Sequence, residues 1–371
     1  MKKITTLASF LFFAYFSKAQ IIVPRNNPIP TPFVEGIELP FFDARHAALG
    51  NAGVATSTDY ADIFYNPAKT AFANTKFGFY GSYPSLYSPR ENDLAKVGAY
   101  YKIPKNRGTV SIAYTSFVFK CPPDANCFSN FDWALGANYA KKLSPKFSYG
   151  LGLKYVQSTF TGLSYIGSRK VNPARTIAAD ISIFHQSNDS TKLINVNYGV
   201  YVSNISGRVS YGGASEHFIP TNLKIGIAPT IKISKSSAFT LTIDANKLMI
   251  PTPVYNSNRI PIPAKTAIGG ILGSFSDAPN GLQEELQEII WSIGGEYWYK
   301  NTLALRVGKY IEYNNKGGGK YTTYGVGLKI KKRVNVDLAY LHDESYIWYF
   351  RKLYAHRGNI WRANITFGLG K

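Results

Sequence analysis

The stretch FSYGLGLKY, residues 147–155, decides how the chain is read. Phe147, Tyr149, Leu151, Leu153 and Tyr155 fall on one side of an extended backbone, and Ser148, Gly150, Gly152 and Lys154 on the other. Strict alternation at period two is the pattern of a strand with one apolar and one polar face. The same pattern returns in Ile194, Val196, Tyr198, Val200 and Val202, set against Asn195, Asn197 and Gly199. It returns again in Tyr324, Val326, Leu328 and Ile330, set against Thr323, Gly325, Gly327 and Lys329.

A wet face and a dry face also describe a soluble sandwich, so spacing has to separate the cases. Alternating segments begin near Lys76, Leu94, Thr109, Phe131, Lys146, Ala174, Lys192, Asn222, Phe239, Glu288, Thr302, Lys320, Val334 and Asn359. That is an even number, and each has about the 9–11 residues of a tilted membrane strand. The connections 104–108, 141–145, 186–191, 234–238, 300–301 and 331–333 are short. They alternate with longer ones at 84–93, 120–130, 161–173, 204–221, 251–287, 313–319 and 342–358. Short periplasmic turns alternating with long outer loops are the asymmetry of an outer-membrane barrel, and a sandwich has no reason to produce it. The expected fold is an all-β transmembrane barrel of about 14 antiparallel strands over residues 75–371. Aromatic residues make up 15% of the chain, as two interfacial girdles require. Phe367 lies four residues before the end but stays in phase with Trp361, Ala363, Ile365 and Leu369.

The first residues set the compartment. Lys2 and Lys3 precede a short apolar run at 4–16, and Ser17-Lys18-Ala19 offers small residues for cleavage. Residues 1–19 read as a secretory signal peptide, because the run is shorter than the ~20 residues of a spanning helix. The formal charge of +20 becomes +17 without Lys2, Lys3 and Lys18. In an exported chain with no nucleic-acid motif, that charge points to an anionic lipid or polysaccharide surface. Cys121 and Cys127, in CPPDANC, are expected to form a loop disulfide rather than two free thiols or a metal site.

Residues 20–74 precede the strands. They contain a Pro-rich stretch and then ALGNAGVATSTDYADIFYNPAKTAF at 48–72. Gly50, Ala52 and Gly53 permit close backbone approach, Asp59 is placed to cap a helix, and Asn66-Pro67 interrupts it. A barrel of this size encloses space that its own side chains do not fill. The segment is therefore expected to plug the periplasmic side of the lumen, with Gly50, Gly53, Asn66 and Pro67 as its marks. A short periplasmic helix outside the barrel is the competing reading.

The run DARHAALGNAGVATSTDYADIFYNPAKTAFA resembles the N-terminal motif of the PorV family of the type IX secretion system. The likeness continues in PTNLKIGI (220–227), DANKLMIPTP (244–253) and the long block GGILGSFSDAPNGLQEELQEIIWSIGGEYWYKNTLALRVG (269–308). The Asn-Pro-Ala element alone is shared by wider FadL-like barrels, whereas the later blocks are more specific. The resemblance implies a FadL-like barrel that binds cargo bearing a C-terminal signal domain. Such a barrel passes cargo from the translocon barrel to a sortase-like attachment complex at the cell surface. The short final hairpin and Lys371 fit the family less well and are compatible with a specialised paralogue.

Chemistry for catalysis is thin. Ser215-Glu216-His217 is contiguous, and a working triad needs convergence in space rather than adjacency in sequence. The glycines before Lys320 are hairpin residues lacking the rest of a phosphate loop. No metal-ligand spacing or cofactor motif is present, so no enzyme activity is expected. Apolar residues Leu163, Tyr165 and Ile166 in one outer loop, and Leu272 and Phe275 in another, are candidate partner contacts. Folding back over the barrel mouth is the bland alternative for both loops. A FadL-like channel for hydrophobic small molecules is the competing function, and an outer-membrane lipid hydrolase is a third class.

Overall fold

The computed structural model describes residues 35–82, 93–120, 129–161, 165–166, 169–212, 216–252, 254–255, 261–262, 266–331, 333–345 and 359–370. Fourteen antiparallel strands close into one barrel. In chain order they are β1 Phe77–Ser82, β2 Asp93–Lys102, β3 Thr109–Phe119, β4 Ser129–Lys142, β5 Phe147–Thr161, β6 Ala174–His185 and β7 Ile194–Ser206. The second half comprises β8 Asn222–Lys232, β9 Ala238–Leu248, β10 Ile289–Tyr299, β11 Leu303–Ile311, β12 Lys320–Ile330, β13 Val334–Asp343 and β14 Ile360–Leu369. Each strand pairs with its sequence neighbours, and β14 returns to β1 with Phe79 opposite Phe367. Those two rings stack at 4.9 Å, so the in-phase Phe367 sits at the closure seam.

The strands vary more than the uniform 9–11 residues expected, from six in β1 to fifteen in β5. The short turns supply the tight chirality that hairpins need. Lys105 and Asn106 both have positive φ, as do Lys300 and Asn301, the backbone of primed two-residue turns.

The polarity is inside out. Ile112, Leu153, Ile177 and Ile365 face outward and are more than half exposed. Ser148, Asp244, Glu296, Arg306, Thr323 and Asp337 face inward and are buried. A continuous apolar exterior is costly in water and matched to lipid. Among the described residues no helix is long and apolar enough to cross a membrane, and the strands make the crossing.

Candidate functional site

The lumen holds residues 37–73. Helix α1 (Ala44–Ala47) is capped by Asp43, whose carboxylate accepts from His46 N. Gly50 (φ +64°) and Asn51 (φ +70°) then turn the chain sharply. Helix α2 (Asp62–Tyr65) follows, and a 3₁₀ turn at Pro67–Phe72 is capped by Asn66. The single helix expected from Asp59 to Asn66 is therefore corrected to a turn and one helical turn. Asp59 does not cap α2, whose N-cap is Ala61. Its carboxylate instead accepts from Ala61 N (2.7 Å), while Asp62 accepts from Asp59 N (2.8 Å).

Wall glycines seat this segment. A Cβ at Gly308 would lie 2.2 Å from Gly50 N, at Gly199 2.2 Å from Val54 O, and at Gly150 2.8 Å from Ala68 N. The small inward residues of β5, β7 and β11 thus let backbone meet backbone around the lumen. Gly50 itself would drive a Cβ to 2.3 Å from Lys309 O, so it is a wall contact. Gly53 differs from the expectation. Its missing Cβ makes room for Tyr65 and His46 of the same segment, while its N–H donates to Asp244 Oδ2 (2.7 Å). Asn66 is fully buried and bridges Val54 O (3.0 Å) to Ile183 O on the wall (3.1 Å), and Pro67 begins the 3₁₀ turn.

A chain of buried charges crosses from segment to wall. Asp59 Oδ2 meets Arg45 Nη1 at 2.9 Å. Arg45 grips Glu296 with Nε (3.0 Å) and Nη2 (2.9 Å). Glu296 also accepts from Arg306 Nε (2.7 Å), and Arg306 reaches Asp337 (2.7 Å). Nearby, Lys69 pairs with Asp62 (2.5 Å) and donates to Gly53 O (2.8 Å). Such pairs add little net stability, but removing one member leaves a buried charge uncompensated.

Asp43, His46 and Asp59 have donor atoms within 4.8 Å of one another. They do not fit a metal. His46 Nδ1 is 2.5 Å from Asp43 Oδ2, whereas two ligands of a tetrahedral ion stand about 3.3 Å apart, and Asp59 already carries the Arg45 guanidinium. His46 stacks on Tyr65 at 3.9 Å between the two carboxylates.

The segment does not stay at one end of the barrel, which corrects the expectation of a plug in the periplasmic half. Phe41 packs on Tyr310 (4.8 Å) and Tyr321 (5.0 Å), beside the long-loop ends of β11 and β12. Phe72 packs on Phe184 (5.8 Å), at the short-turn end of β6. Buried side chains of both wall and segment, among them Asp244, Arg306, Arg45 and Lys69, lie in the lumen. Beside Glu38, Lys96, Lys154, Asp180 and Tyr201 lies a polar cavity of about 40 Å³. That is room for a few waters, against the ~300 Å³ or more of a small-molecule site.

The long-loop rim carries the second feature. After β9, helix α3 (Ala267–Gly273) and helix α4 (Leu282–Gln287) stand over the barrel edge. Lys316 bonds Glu284 (2.5 Å) and Glu288 (2.9 Å), and Lys247 bonds Glu285 (3.0 Å) and Glu288 (2.5 Å). Burial pushes the Glu284 carboxyl up, but the bonded Lys316 ammonium outweighs it and holds the group below the usual range. Burial pushes the Asp277 carboxyl up to about 6, although Thr252 N and Oγ1 donate to it. On this anchored loop Leu272 is 62% exposed and Phe275 43%. Sequence reasoning missed Ile268 (65%), Leu282 (75%) and Leu286 (57%), although the i, i+4 spacing of each pair on its helix was available as a signal.

The remaining candidates separate. Tyr165–Ile166 pairs with Arg169–Lys170 in a small hairpin. Leu163, Cys121 and Cys127 lie outside the described residues, as does Ser215. Glu216 is turned to Arg208 (3.2 Å), and His217 bridges to Val209 through the backbone.

The fold and the occupied lumen define a class: a fourteen-strand outer-membrane barrel of the FadL type. The CymD monoaromatic hydrocarbon channel has a TM-score of 0.54 at 11% identity, covering 89% of this chain and 98% of that one. The Ralstonia pickettii toluene transporter TbuX scores 0.50 at 11% identity, with 88% and 97% covered. The Pseudomonas putida toluene transporter TodX scores 0.50 at 11% identity, with 88% and 96% covered. At such identities the likeness shows the fold alone. No curated protein sequence matches the chain. The family model described as "Type IX secretion system protein PorV" matches residues 29–255, more than half of the chain. The chain belongs to the PorV family and is an outer-membrane component of type IX secretion.

Proposed function

We propose that this barrel is a non-enzymatic partner in protein export that works through its outer rim while its lumen stays plugged. Residues 41–72 are the plug, and the long loops face the cell surface. Secreted cargo bearing a C-terminal signal domain is received from the translocon barrel and passed to a sortase-like attachment complex. The apolar exterior binds outer-membrane lipid, and no nucleic acid or cofactor takes part. The observation that carries this reading is the α3–α4 loop, which holds Ile268, Leu272, Phe275, Leu282 and Leu286 in solvent on a base of buried ion pairs. A desolvated anchor at a protein interface contributes about 2 kcal/mol, roughly thirtyfold in affinity.

A channel for hydrophobic molecules shares the fold, and fold does not settle function. Against it stands the luminal cavity beside Glu38, Lys96, Lys154 and Asp180, whose volume of about 40 Å³ is small for such a ligand. The test replaces Leu272, Phe275, Leu282 and Leu286 together by Ser. Strand pairing is untouched, so the barrel should stay heat-modifiable. Co-isolation with translocon or cargo should fall, and cargo should accumulate in the periplasm. Normal secretion by the folded variant would remove this loop from the mechanism.

A further inference from the structure

Charge is divided unequally between the two rims of the barrel. The six short connections (104–108, 141–145, 186–191, 234–238, 300–301 and 331–333) carry nine Lys or Arg residues against one acid, Asp189. The seven long connections carry eleven against nine. Lys105, Lys146, Lys192, Lys235, Lys300 and Lys331 stand at or next to the short turns, one to each, and all six are exposed. Successive strands are neighbours around the closed sheet, so these ammonium groups are spread around the whole short-turn rim. None of the six forms an ion pair. Among the described residues the pairs lie in the lumen, as Arg306–Asp337 does, or at the long-loop rim, as Lys316–Glu288 and Lys309–Glu344 do. Asp189 pairs with none of the six, and its Oδ1 accepts from Thr191 N (3.0 Å) and Thr191 Oγ1 (2.6 Å).

Apolar side chains stand among the cations. Leu143, Leu193 and Ile233 are each more than half exposed and lie within three residues of Lys146, Lys192 and Lys235. Lys300 Nζ is 5.1 Å from the centre of the Tyr299 ring, and Lys76 Nζ lies over Phe77 (5.5 Å) and Tyr101 (5.8 Å). Aromatic rings at a barrel rim mark the level where hydrocarbon gives way to headgroups. The ammonium groups beside them are therefore at headgroup depth. A soluble acidic protein would match the cations and leave the apolar side chains in water. A leaflet matches both, with acyl chains against the apolar groups and phosphate against the ammonium groups. We propose that the short-turn rim is a ring-shaped binding surface for anionic phospholipid headgroups. Unpaired like charges repel one another, and anionic lipid gathered around the barrel relieves that repulsion. That the leaflet concerned is the periplasmic one rests on the rim assignment proposed above; the lipid preference does not.

The test places the whole barrel in nanodiscs of equal phosphatidylglycerol and phosphatidylcholine, and native mass spectrometry counts the lipids that stay bound when the disc is stripped away. Each cation near an anionic surface favours it about fivefold, so contacts shared between two cations should give phosphatidylglycerol a preference of about tenfold or more at low salt. That preference should fall towards parity at about 1 M salt, where the Debye length is only about 3 Å. Replacing Lys105, Lys146, Lys192, Lys235, Lys300 and Lys331 together by Gln should abolish it. Lys170→Gln, Arg175→Gln and Lys320→Gln, combined at the other rim, should leave it in place. The salt series on the parent protein decides the matter even if the sixfold variant does not fold. Parity in the parent at low salt would refute the proposal and leave an acidic periplasmic protein as the occupant. A preference that the folded sixfold variant retains would refute it too. Loss of the preference to inorganic phosphate, at a concentration where chloride of equal ionic strength has no effect, would assign the ring to a free anion instead. Export is not measured in any of these arms, so their outcome stands apart from that reading.

Discussion

Replacing Glu296 by Ala tests how the luminal segment is held. Glu296 is 2% exposed and accepts from Arg45 Nε, Arg45 Nη2 and Arg306 Nε at 3.0, 2.9 and 2.7 Å. Breaking a buried ion pair costs about 3–5 kcal/mol. The lower end applies here, because Arg45 keeps Asp59 and Arg306 keeps Asp337. A loss of about 3 kcal/mol multiplies local opening about 150-fold. Hydrogen exchange read by mass spectrometry on peptides covering 41–72, in nanodiscs, should show that loss of protection while the strand peptides stay protected. Glu296→Gln keeps the shape and part of the hydrogen bonding, and should fall between. Glu216→Ala is the control. It breaks the pair with Arg208, in which the Glu216 side chain is 52% exposed. Exposed pairs contribute about 0–1 kcal/mol, and this one does not touch the plug. Protection within threefold of the parent in Glu296→Ala would refute the view that this charge chain clamps plug to wall.

Three further outcomes are expected. Gly308→Val would push side-chain atoms into the backbone at Leu49 and Gly50, so exchange over 41–72 should rise, whereas Gly81→Val, which meets nothing within 4 Å, should leave it unchanged. Asp277 has a carboxyl raised to about 6, so its contribution is present below the ordinary value of 3.8 and is lost as pH rises through 6. Protection of peptides over 266–288 should therefore drop between about pH 4 and 6, and Asp277→Asn should remove that step; an unchanged profile would exclude Asp277 as its source. Cys121 and Cys127 should resist alkylation until a reductant is added, and ready labelling of both without it would exclude the bridge.

The barrel was legible because alternation is a local property. The start expected at Lys76 falls at Phe77, at Lys192 at Ile194, and at Asn359 at Ile360. The occupied lumen was legible only in outline. Gly50 and Gly53 look alike in sequence, yet one lies against Lys309 and the other against Tyr65 and His46. A wall glycine such as Gly308 reads only as a member of a strand's small face, because the backbone it receives comes from Gly50, far away in the chain. Arg45 and Glu296 are 251 residues apart, and nothing local in either pairs them. The luminal segment turns at two positive-φ residues, Gly50 and Asn51, and that turn cannot be read from composition. On the rim, LQEELQ shows its helix openly. Helix α3, AIGGILG, has a weak intrinsic propensity and forms with Thr266 capping Gly269 N at 2.9 Å.

Protein export and uptake through the lumen, the two functions this fold could serve, differ most in where cargo ends up. The most direct measurement is the partition of cargo in a strain lacking this chain and any paralogue, with and without complementation. Proteins bearing the C-terminal signal domain should accumulate in the periplasm and return to the surface when the chain is restored. Normal surface delivery in the uncomplemented strain, together with lost uptake of a hydrophobic small molecule, would contradict it.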